Sequence, residues 1–597
     1  GNLWRINSNG HKHEKLTSFE GSEYGAVWSP SGDRLAYVRS TDEGSEIYVY
    51  WAASEKTARL TQLNNSPSSL SWSPDGQSIA FQMKVKTNPP SLIQLPKKPK
   101  GAQWAAPARV TDRLYHEADG SGYIAPGFSH IFVIDAQGSP ARQLTTGDFQ
   151  HRGPISWSPQ SNKIYFTSNR KLDWEHDFRN SEVYELTLAT QQIIALTHRN
   201  GPDAPAKIAP NGKYIAYVSY EDRVQAYQNR KLWVMDASGS NKRLLSSSLD
   251  SSISQLQWDS QSKGLYISYD QEGDTKIAYL RLDGNIQKMA DQLGGTSIGR
   301  PYGGGSFSVS CKGKIAFTYS SPYAPAELAL HTNQNTKKLT TLNTALLGNR
   351  KLGKVKEVRY SSTFDGRPIQ GWIVFPPDYN AKKKYPLLVE NHGGPISNYG
   401  ARFSAEIQLY AAAGYIVFYP NPRGSTSYGE EFANLLHHNY PGEDYQDVMD
   451  GVDFLIQKGW AKDLDDLLSE WINHDKPITI LDLGGIPFDT MDLAVGLISR
   501  LSYETMFWGR FLDGIGRQRP LLMVYEEAHS YLPKGGSNQF VQGYSSSAVR
   551  RICKEGRKYG IGALIISQRP SDLDSSILSQ CGTFITLRLS SSDDQSI

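Results

Sequence analysis

The sequence predicts a multidomain protein in which a β-propeller of about seven blades is followed by an α/β region. A hairpin motif recurs through the first half of the chain, as in WSPSGDRLAYV from Trp28, WSPDGQSIAF from Trp72 and WSPQSNKIYF from Trp157. After Lys351 the pattern changes to buried strands that alternate with helices, as in GYIVFYP. At 597 residues the chain is too long for one core, and roughly four domain-sized units are expected.

Each copy of the hairpin motif predicts two strands joined by a tight turn, because Pro, Asp, Asn and Gly lie between alternating apolar residues. Further copies start at Ile208, Trp258 and, in a weaker form, Cys311. A second strand pair follows, as in LWVMDASGSNKRLL, so about four strands recur every 45 to 50 residues or so, which is typical of a propeller blade.

Two irregular stretches fit this array. The Pro/Lys-rich segment NPPSLIQLPKKPKGAQW lengthens one unit as an insertion, and LWRINSNG at the start predicts the outer strands of an incomplete first blade. We therefore assign residues 1–345 to the propeller. The Trp and Pro of each WSP are expected to pack and turn the blades rather than bind a ligand.

Residues 346–460 are predicted to begin an α/β domain. Strands PIQGWIVF, YPLLVEN and GYIVFYP alternate with helices near 402–413 and 446–458. Two loops follow strands directly, HGGP at 392–395 and NPRGS at 421–425. Paired glycines let a backbone N–H approach a substrate carbonyl, so the first loop is a candidate for stabilising an oxyanion. A purely structural glycine turn is the alternative.

Several motifs up to residue 460 fit one enzyme family. They are the WSPDG blades, RVTDRLYHEADGSGY at 109–123, HGGP, NPRGSTSYG at 421–429 and YQDVMDGVDFLIQKGW at 445–460. Together they resemble the prolyl oligopeptidase family, in its acylaminoacyl-peptidase branch. The resemblance implies a serine peptidase with an α/β-hydrolase domain whose propeller limits access to short peptides. It also implies that His392, Gly393 and Gly394 lie in the oxyanion-hole loop.

The catalytic serine of such a peptidase is not recognisable. It should lie on a Gly-x-Ser-x-Gly turn soon after Trp460, because only a strained strand-to-helix turn exposes its hydroxyl to a histidine. The nearest approximations, around Ser427 and Ser545, differ from this pattern in spacing or context, and neither is predicted to be a nucleophile. The Asp and His of a triad have no recognisable counterparts either. The sequence thus predicts a peptidase-like chain that is inactive.

Residues 461–597 predict a second α/β unit. It consists of strand PITILDL, helix TMDLAVGLISRLSYETMFW, strand LLMVY, helix SAVRRICKEGRKYG and strands GALIIS and TFITLRL. Glu526 and Glu527 directly follow LLMVY. An apolar strand that ends in paired carboxylates is typical of a Walker B site, where one acid holds magnesium and the next activates water. An exposed acidic strand end is the alternative.

The segments ILDLGGIPFDTMDLAVGLISRL, VYEEAHSYLP, RRICKEGRKYG and ISQRPSDLDSSILSQCGTFITLRL resemble, in this order, the C-terminal part of HerA-type hexameric DNA-translocating ATPases. The resemblance implies that Glu526 holds magnesium and that Glu527 is the catalytic base. Gln568 would sense the γ-phosphate, and Arg557 would reach the nucleotide of a neighbouring subunit. ATP and Mg²⁺ would be cofactors, with DNA and a homo-hexamer as partners.

This ATPase is incomplete as well. Phosphate binding needs Gly-x-x-x-x-Gly-Lys-Ser/Thr, and the nearest match, from Gly348 to Val355, has Val in place of the hydroxyl and precedes no helix. Because half a sheet leaves unpaired edges, a chimera or a spliced sequence is expected rather than a natural fusion. PITILDL could still join the hydrolase sheet in place of the strand that should carry the serine.

Three functions stay open: a propeller-capped serine peptidase, part of an ATP-driven DNA motor, and an inert chimeric scaffold. The 63 basic and 60 acidic residues balance too closely to favour nucleic-acid binding by charge alone. No apolar run approaches the roughly 20 residues of a membrane span, so no membrane contact is expected. The cytoplasm is the favoured location, with the periplasm or secretion as alternatives if a signal segment was removed.

Overall fold

A computed structural model describes the chain except at residues 88–97, 106–109, 333–334, 473, 485, 487, 513, 535–542 and 588–597. The chain divides into two compact units, Gly1–Ala461 and Lys462–Ile597. Among the described residues, no helix is both long and apolar enough to cross a membrane.

The first unit begins with antiparallel sheets. The short pair β1 (Trp4–Arg5) and β2 (Glu14–Lys15) precedes six four-stranded sheets. The first sheet consists of β3 (Ser22–Trp28), β4 (Arg34–Thr41), β5 (Gly44–Trp51) and β6 (Lys56–Arg59). The second consists of β7 (Pro67–Trp72) and β8 (Ser78–Lys86) and, after the separate pair β9 (Glu117–Ala118) and β10 (Gly122–Tyr123), of β11 (Gly127–Asp135) and β12 (Arg142–Gln143).

The remaining four sheets follow the same order of strands. The third is β13 (His151–Trp157), β14 (Lys163–Ser168), β15 (Glu182–Thr187) and β16 (Ile193–Ala195). The fourth is β17 (Asp203–Ile208), β18 (Tyr214–Ser219), β19 (Lys231–Asp236) and β20 (Arg243–Leu244). The fifth is β21 (Ile253–Trp258), β22 (Gly264–Gln271), β23 (Asp274–Arg281) and β24 (Ile286–Ala290). The sixth is β25 (Phe307–Val309), β26 (Ile315–Ser321), β27 (Ala324–Thr332) and β28 (Asn335–Lys338).

The recurring tryptophan joins three of the sheets to the one before. The indole nitrogens of Trp72, Trp157 and Trp258 donate to the carbonyl oxygens of Val27, Ser71 and Lys207, at 3.1, 3.2 and 2.9 Å. All three tryptophans are buried. The expectation that the WSP residues pack the blades is therefore confirmed for these indoles, which also satisfy a backbone acceptor in the neighbouring sheet.

A hydroxyl after the outer strand recurs in the same way. It accepts a hydrogen bond from a backbone N–H within the third strand of its sheet. The pairs are Thr61 with Ile47, Thr145 with Ile131, Thr197 with Val183, Ser246 with Leu232 and Thr340 with Leu328. Thr17, which follows β2, accepts from Leu3 in the same way at 3.0 Å. The pair β1–β2 thus has the internal bonding of the outer half of a blade, in keeping with the predicted incomplete first blade.

The α/β part of the first unit contains a four-stranded sheet in the order β29–β30–β32–β31. Only β31 and β32 are parallel. After the short helix α1 (Thr344–Leu347), the elements are β29 (Val355–Ser361), β30 (Pro368–Val374), β31 (Leu387–Val389), α2 (Ala405–Ala412), β32 (Ile416–Asn421), α3 (Glu430–Asn434) and α4 (Glu443–Gln457). The three predicted strands and both predicted helices are present, whereas β29 was not predicted.

In the residues that the structure describes, the second unit packs helices against one pair of parallel strands. Its elements are α5 (Leu464–Trp471), α6 (Phe488–Trp508), β33 (Leu521–Tyr525), α7 (Tyr544–Glu555), β34 (Ile561–Ile565) and α8 (Ser575–Leu578). Its core includes Val495, Tyr525, Leu532 and Val549.

Two strands predicted for this unit are wrong in the described residues. PITILDL, at 477–483, forms no strand, and neither does 583–587, the described part of TFITLRL. Ile478 and Ile480 are 74% and 86% exposed, so this apolar run lacks the covering layer that a buried strand needs. The proposed entry of PITILDL into the hydrolase sheet is therefore wrong as well.

We predict that Trp157→Phe lowers the free energy of unfolding by about 1–3 kcal/mol, because the part-buried Ser71 carbonyl loses its donor. Trp28→Phe is the matched control, since this tryptophan is 49% exposed and should change stability by less than about 0.5 kcal/mol. Urea unfolding followed by far-UV circular dichroism measures both values. Equal losses in the two variants would contradict the proposed role of the indole bond.

Candidate functional site

Two loops meet where β31 and β32 end. The strands are parallel neighbours, with Leu387 opposite Ile416, so their carboxyl ends share one edge of the sheet. A hydrogen bond of 2.9 Å joins His392 Nε2 in the first loop to Ser425 Oγ in the second. The structure therefore brings together the HGGP and NPRGS loops. Burial lowers the pKa of His392, which favours the neutral imidazole at pH 7.

Asn421, the last residue of β32, ties the strand to the segment after the HGGP loop. Its side chain is fully buried. Its Oδ1 accepts from Tyr399 N at 2.9 Å, while its Nδ2 donates to Tyr399 O at 2.9 Å and to the Tyr428 hydroxyl at 2.7 Å. The amide thus uses both ends to hold the two loops at one spacing.

A buried ion pair anchors the second loop. Arg423 donates to Asp447 of α4 through its backbone N–H and Nε, at 2.8 and 2.9 Å to Oδ2, and through Nη2, at 2.8 Å to Oδ1. The hydrogen bonds to Asp447 raise the pKa of Arg423. The next residue, Gly424, has φ +90°, and a Cβ there would lie 2.1 Å from a methyl carbon of Leu436. Only glycine fits this turn.

The HGGP loop presents a backbone donor to a hydroxyl from the propeller part. Gly393 N donates to the Tyr302 hydroxyl at 3.2 Å. The ring of Tyr302 packs against Tyr399, with centroids 4.9 Å apart. Gly394 has φ +130°, in the region that glycine tolerates. The arrangement holds an exposed N–H next to an oxygen atom, which is the geometry that an oxyanion donor requires.

The propeller part positions this edge of the sheet through further contacts. Arg402, which precedes α2, donates from Nη1 to Asp274 Oδ1 at 2.8 Å. Gly273 N donates to Ser427 Oγ at 2.6 Å. Ser427 has φ +86°, an uncommon conformation for a residue with a side chain.

None of the serines nearest to the expected elbow is available as a nucleophile. Ser425 is 1% exposed, and its hydroxyl donates to Pro422 O at 2.6 Å. Ser427 is buried in its contact with Gly273. Ser545 is fully buried, and its hydroxyl contacts Asp492 and the carbonyl of Tyr531.

The second unit brings together two of the residues assigned to the ATPase site. Glu527 follows β33 and Gln568 follows β34, and Gln568 Nε2 donates to Glu527 Oε1 at 2.6 Å. Glu526 is exposed beside them. Arg557 precedes β34, so it lies at the opposite end of that strand from Gln568. The structure therefore pairs Glu527 with Gln568 and leaves Arg557 apart.

The residues do not fit a nucleotide or a metal ion. From Gly348 the chain runs without a helix to β29, so it forms no phosphate-binding loop. In the part of the chain that the structure describes, no group of three or more His, Cys, Asp or Glu side chains could hold a metal. Magnesium can be held by one or two carboxylates with water and phosphate oxygens, so Glu526 as a magnesium ligand stays a prediction.

Sequence reasoning missed Tyr302, Asn421 and Asp447. Asp447 lies within YQDVMDG and Asn421 within NPRGS, so the motifs contained the signal but gave no role to either residue. Tyr302 lies in the Gly-rich stretch GRPYGGG, which matches no pattern, and only the fold brings it to Gly393.

Comparison with known proteins agrees with this architecture. Residues 401–467 match the model of the prolyl oligopeptidase family, and residues 103–226 match that of the dipeptidyl peptidase IV N-terminal region. The chain is 26% identical over 448 residues to Uncharacterized peptidase YuxL of Bacillus subtilis, covering 72% of this chain. It is 24% identical over 471 residues to Dipeptidyl-peptidase 5 of Porphyromonas gingivalis, covering 76%. Each alignment spans 66% of the relative's own length.

Solved structures show the same fold. Acylaminoacyl peptidase of Pyrococcus horikoshii superposes with a TM-score of 0.60 at 17% identity, covering 95% of this chain and 89% of that one. Puromycin hydrolase gives a TM-score of 0.55 at 15% identity, covering 77% and 68%. Because the first unit holds 461 of the 597 residues, 95% coverage extends into the second unit.

The fold is that of a β-propeller joined to an α/β-hydrolase-like domain. The matches support the prolyl oligopeptidase family for this chain. None of them supports an ATPase part or a chimera, so the HerA-like interpretation of residues 461–597 stays a prediction.

We predict that Asp447→Asn destabilises the first unit by about 3 kcal/mol, because Arg423 would remain buried without its main counter-charge. Asp453→Asn, on the exposed side of the same helix, is the matched control and should leave stability unchanged within about 0.5 kcal/mol. Urea unfolding of the full chain measures the difference. A loss for Asp453→Asn as large as that for Asp447→Asn would show that the buried pair is not the anchor.

Proposed function

We propose that the chain is a serine-peptidase-type protein that binds short peptides between its propeller and its hydrolase sheet. The observation that carries this proposal is the contact between Gly393 N and the Tyr302 hydroxyl. One partner belongs to the HGGP loop and the other to the propeller part. A substrate at this point would contact both parts at once. Relatives named as peptidases, and an acylaminoacyl peptidase solved with Z-Gly-Gly-Phe-chloromethyl ketone, support the peptide as the substrate class.

The Gly393 N–H and the Tyr302 hydroxyl can each donate a hydrogen bond to a peptide carbonyl oxygen. Tyr302 Oη accepts from the Gly393 N–H, so a carbonyl oxygen placed within reach of both groups could take over that hydrogen bond. The Tyr302 hydroxyl can then turn its own proton toward the same oxygen. Two preorganised donors are the usual means of stabilising the negative charge that develops on a carbonyl under attack. His392 packs edge-on against Tyr399 and so holds the loop in place.

None of the residues at this site can act as the nucleophile that forms an acyl-enzyme. Ser425 is buried and its proton is committed to Pro422 O, and no Gly-x-Ser-x-Gly sequence follows Trp460. Without a nucleophile, the route through an acyl-enzyme is lost. We therefore infer that this chain binds short peptides without turning them over.

Titration calorimetry with Z-Gly-Gly-Phe amide tests the proposal. We expect the full chain to bind this peptide, and Tyr302→Phe to weaken binding about three- to tenfold because one hydrogen bond is lost. Tyr323→Phe is the matched control, since this exposed tyrosine also bonds across to the α/β part, at Val355, and should leave affinity unchanged. No binding at millimolar peptide, or labelling by a fluorophosphonate probe, would contradict the proposal.

The second candidate function, an ATPase part in residues 461–597, rests on the hydrogen bond between Glu527 and Gln568. Such a pair at the ends of two parallel strands suits a water-activating acid and a γ-phosphate sensor. The chain lacks the loop that would hold the phosphates, so we expect millimolar Mg²⁺-ATP to leave the melting temperature unchanged. A rise that Glu527→Gln removes would favour the ATPase, and Glu504→Gln on α6 is the control.

A further inference from the structure

A cavity of about 380 Å³ in the propeller part is lined by the third sheet and by the segment that leads into the fourth sheet. Arg170 and Lys171 follow β14, and Arg199 precedes β17. In the described part of the chain, Glu182 at the start of β15 is the one acidic residue of the lining. Basic side chains therefore outnumber acidic ones at this cavity.

Arg170 lies at the cavity without a counter-charge. Its Nη1 donates to His151 Nε2 at 2.8 Å, and within the described residues it forms no ion pair. Burial lowers the pKa of His151 to about 3, so the imidazole is neutral at pH 7 and offsets no charge. Burial also lowers the pKa of Arg170, yet a guanidinium stays protonated in proteins. Its remaining N–H groups are available to an acceptor in the cavity.

Arg199 also keeps its hydrogen-bond donors. Its Nε lies 4.0 Å from Asp203 Oδ1, an ion-pair contact that is longer than a hydrogen bond. Its guanidinium stacks on Trp233, 4.0 Å from the ring centroid, and this contact uses the face of the guanidinium rather than its N–H groups. Asp203 thus offsets part of the charge of Arg199, while the N–H groups of the arginine stay available to a ligand.

The two arginines reach the cavity from different places in the repeat. His151 opens β13 and Asp203 opens β17, at the same position of the inner strand. Arg170 contacts His151 from the segment that follows β14 of the same sheet, whereas Arg199 contacts Asp203 from the segment before β17. Two guanidinium groups from consecutive units of the propeller part therefore line one cavity.

The other charged residues of the lining do not neutralise these guanidinium groups. Burial raises the pKa of Glu182 to about 7, so its carboxyl carries only part of a negative charge at pH 7. Lys171 is paired with Asp177, with Nζ 2.6 Å from Oδ2. The cavity thus carries an excess of positive charge, which comes from Arg170 and Arg199.

We propose that this cavity binds an oxyanion, a phosphate or a carboxylate group, between the guanidinium groups of Arg170 and Arg199. The paired N–H donors of a guanidinium match two oxygen atoms of one such group. The charge of the lining disfavours a cation, because like charges repel most strongly where water is partly excluded. The cavity shares no lining residue with the contact of Gly393 with Tyr302, so this site goes beyond the proposed function and does not depend on it.

Titration calorimetry on the full chain, at neutral pH and low ionic strength, tests this proposal with two sources of an oxyanion. One is inorganic phosphate, and the other is acetyl-Gly-Gly, which ends in a free carboxylate and has acetyl-Gly-Gly amide as its neutral counterpart. We expect phosphate to bind, or the peptide acid to bind about tenfold more tightly than its amide. The tighter ligand identifies the source of the oxyanion. No binding of phosphate, together with equal affinities for the peptide acid and its amide, would overturn the proposal.

Arg170→Gln and Arg199→Gln should each weaken binding of that oxyanion about tenfold or more, because each removes one of two charged donors. Arg59→Gln removes the same charge from an exposed position on β6 and is the matched control, which should leave the affinity unchanged. Full affinity in either folded glutamine variant of the cavity would overturn the proposal. The comparison of ligands on the unmodified chain holds even if a variant does not fold.

The outcome also separates this proposal from the proposed function. Binding of Z-Gly-Gly-Phe amide without binding of either oxyanion would contradict the oxyanion site alone. Oxyanion binding that depends on Arg170, without binding of Z-Gly-Gly-Phe amide, would contradict the site at Gly393 and Tyr302 alone.

Discussion

A four-stranded sheet has two apolar faces and cannot bury both by itself, so every blade of this protein depends on its neighbours. The indole N–H of Trp72, Trp157 and Trp258 makes that dependence specific, because each bonds one backbone carbonyl of the preceding sheet. The hydroxyls that close the outer strands act within a sheet, whereas the indoles act between sheets. Together they explain why the same few residue types return at each repeat.

In the α/β part, buried polar contacts fix the positions of the loops at the end of the sheet. Buried polar groups do this only when they are fully paired, as they are in the Asn421 amide and in the pair of Arg423 with Asp447. The propeller part then contributes Tyr302, which meets the HGGP loop at Gly393. The candidate site thus depends on both parts of the first unit, and neither part contains it alone.

Repeated and strongly patterned segments were predictable from sequence, and isolated ones were not. The WSP hairpins and the strands around GYIVFYP combine turn residues with period-two or continuous apolar runs, which few other structures accommodate. PITILDL has the same local pattern but no covering layer, so its composition predicts a strand that tertiary packing does not provide. Tyr302 lies far from Gly393 in the chain, and no local rule connects them. The paired acids at 526–527 correctly marked the end of a strand. An ATPase site there would also need a phosphate-binding loop, which lies far away in the chain and cannot be inferred from the acids.

The matching positions of His151 and Asp203 show a consequence of building with repeats. Both residues open an inner strand and occupy the same register, yet His151 bonds Arg170 of its own sheet, whereas Asp203 lies 4.0 Å from Arg199, which precedes its strand. Because the blades share one backbone geometry, a new side chain in one blade enters a position that the repeated fold already defines. Substitution in one blade can therefore alter what the protein recognises while the remaining blades preserve the fold, so ligand preference and stability can evolve separately.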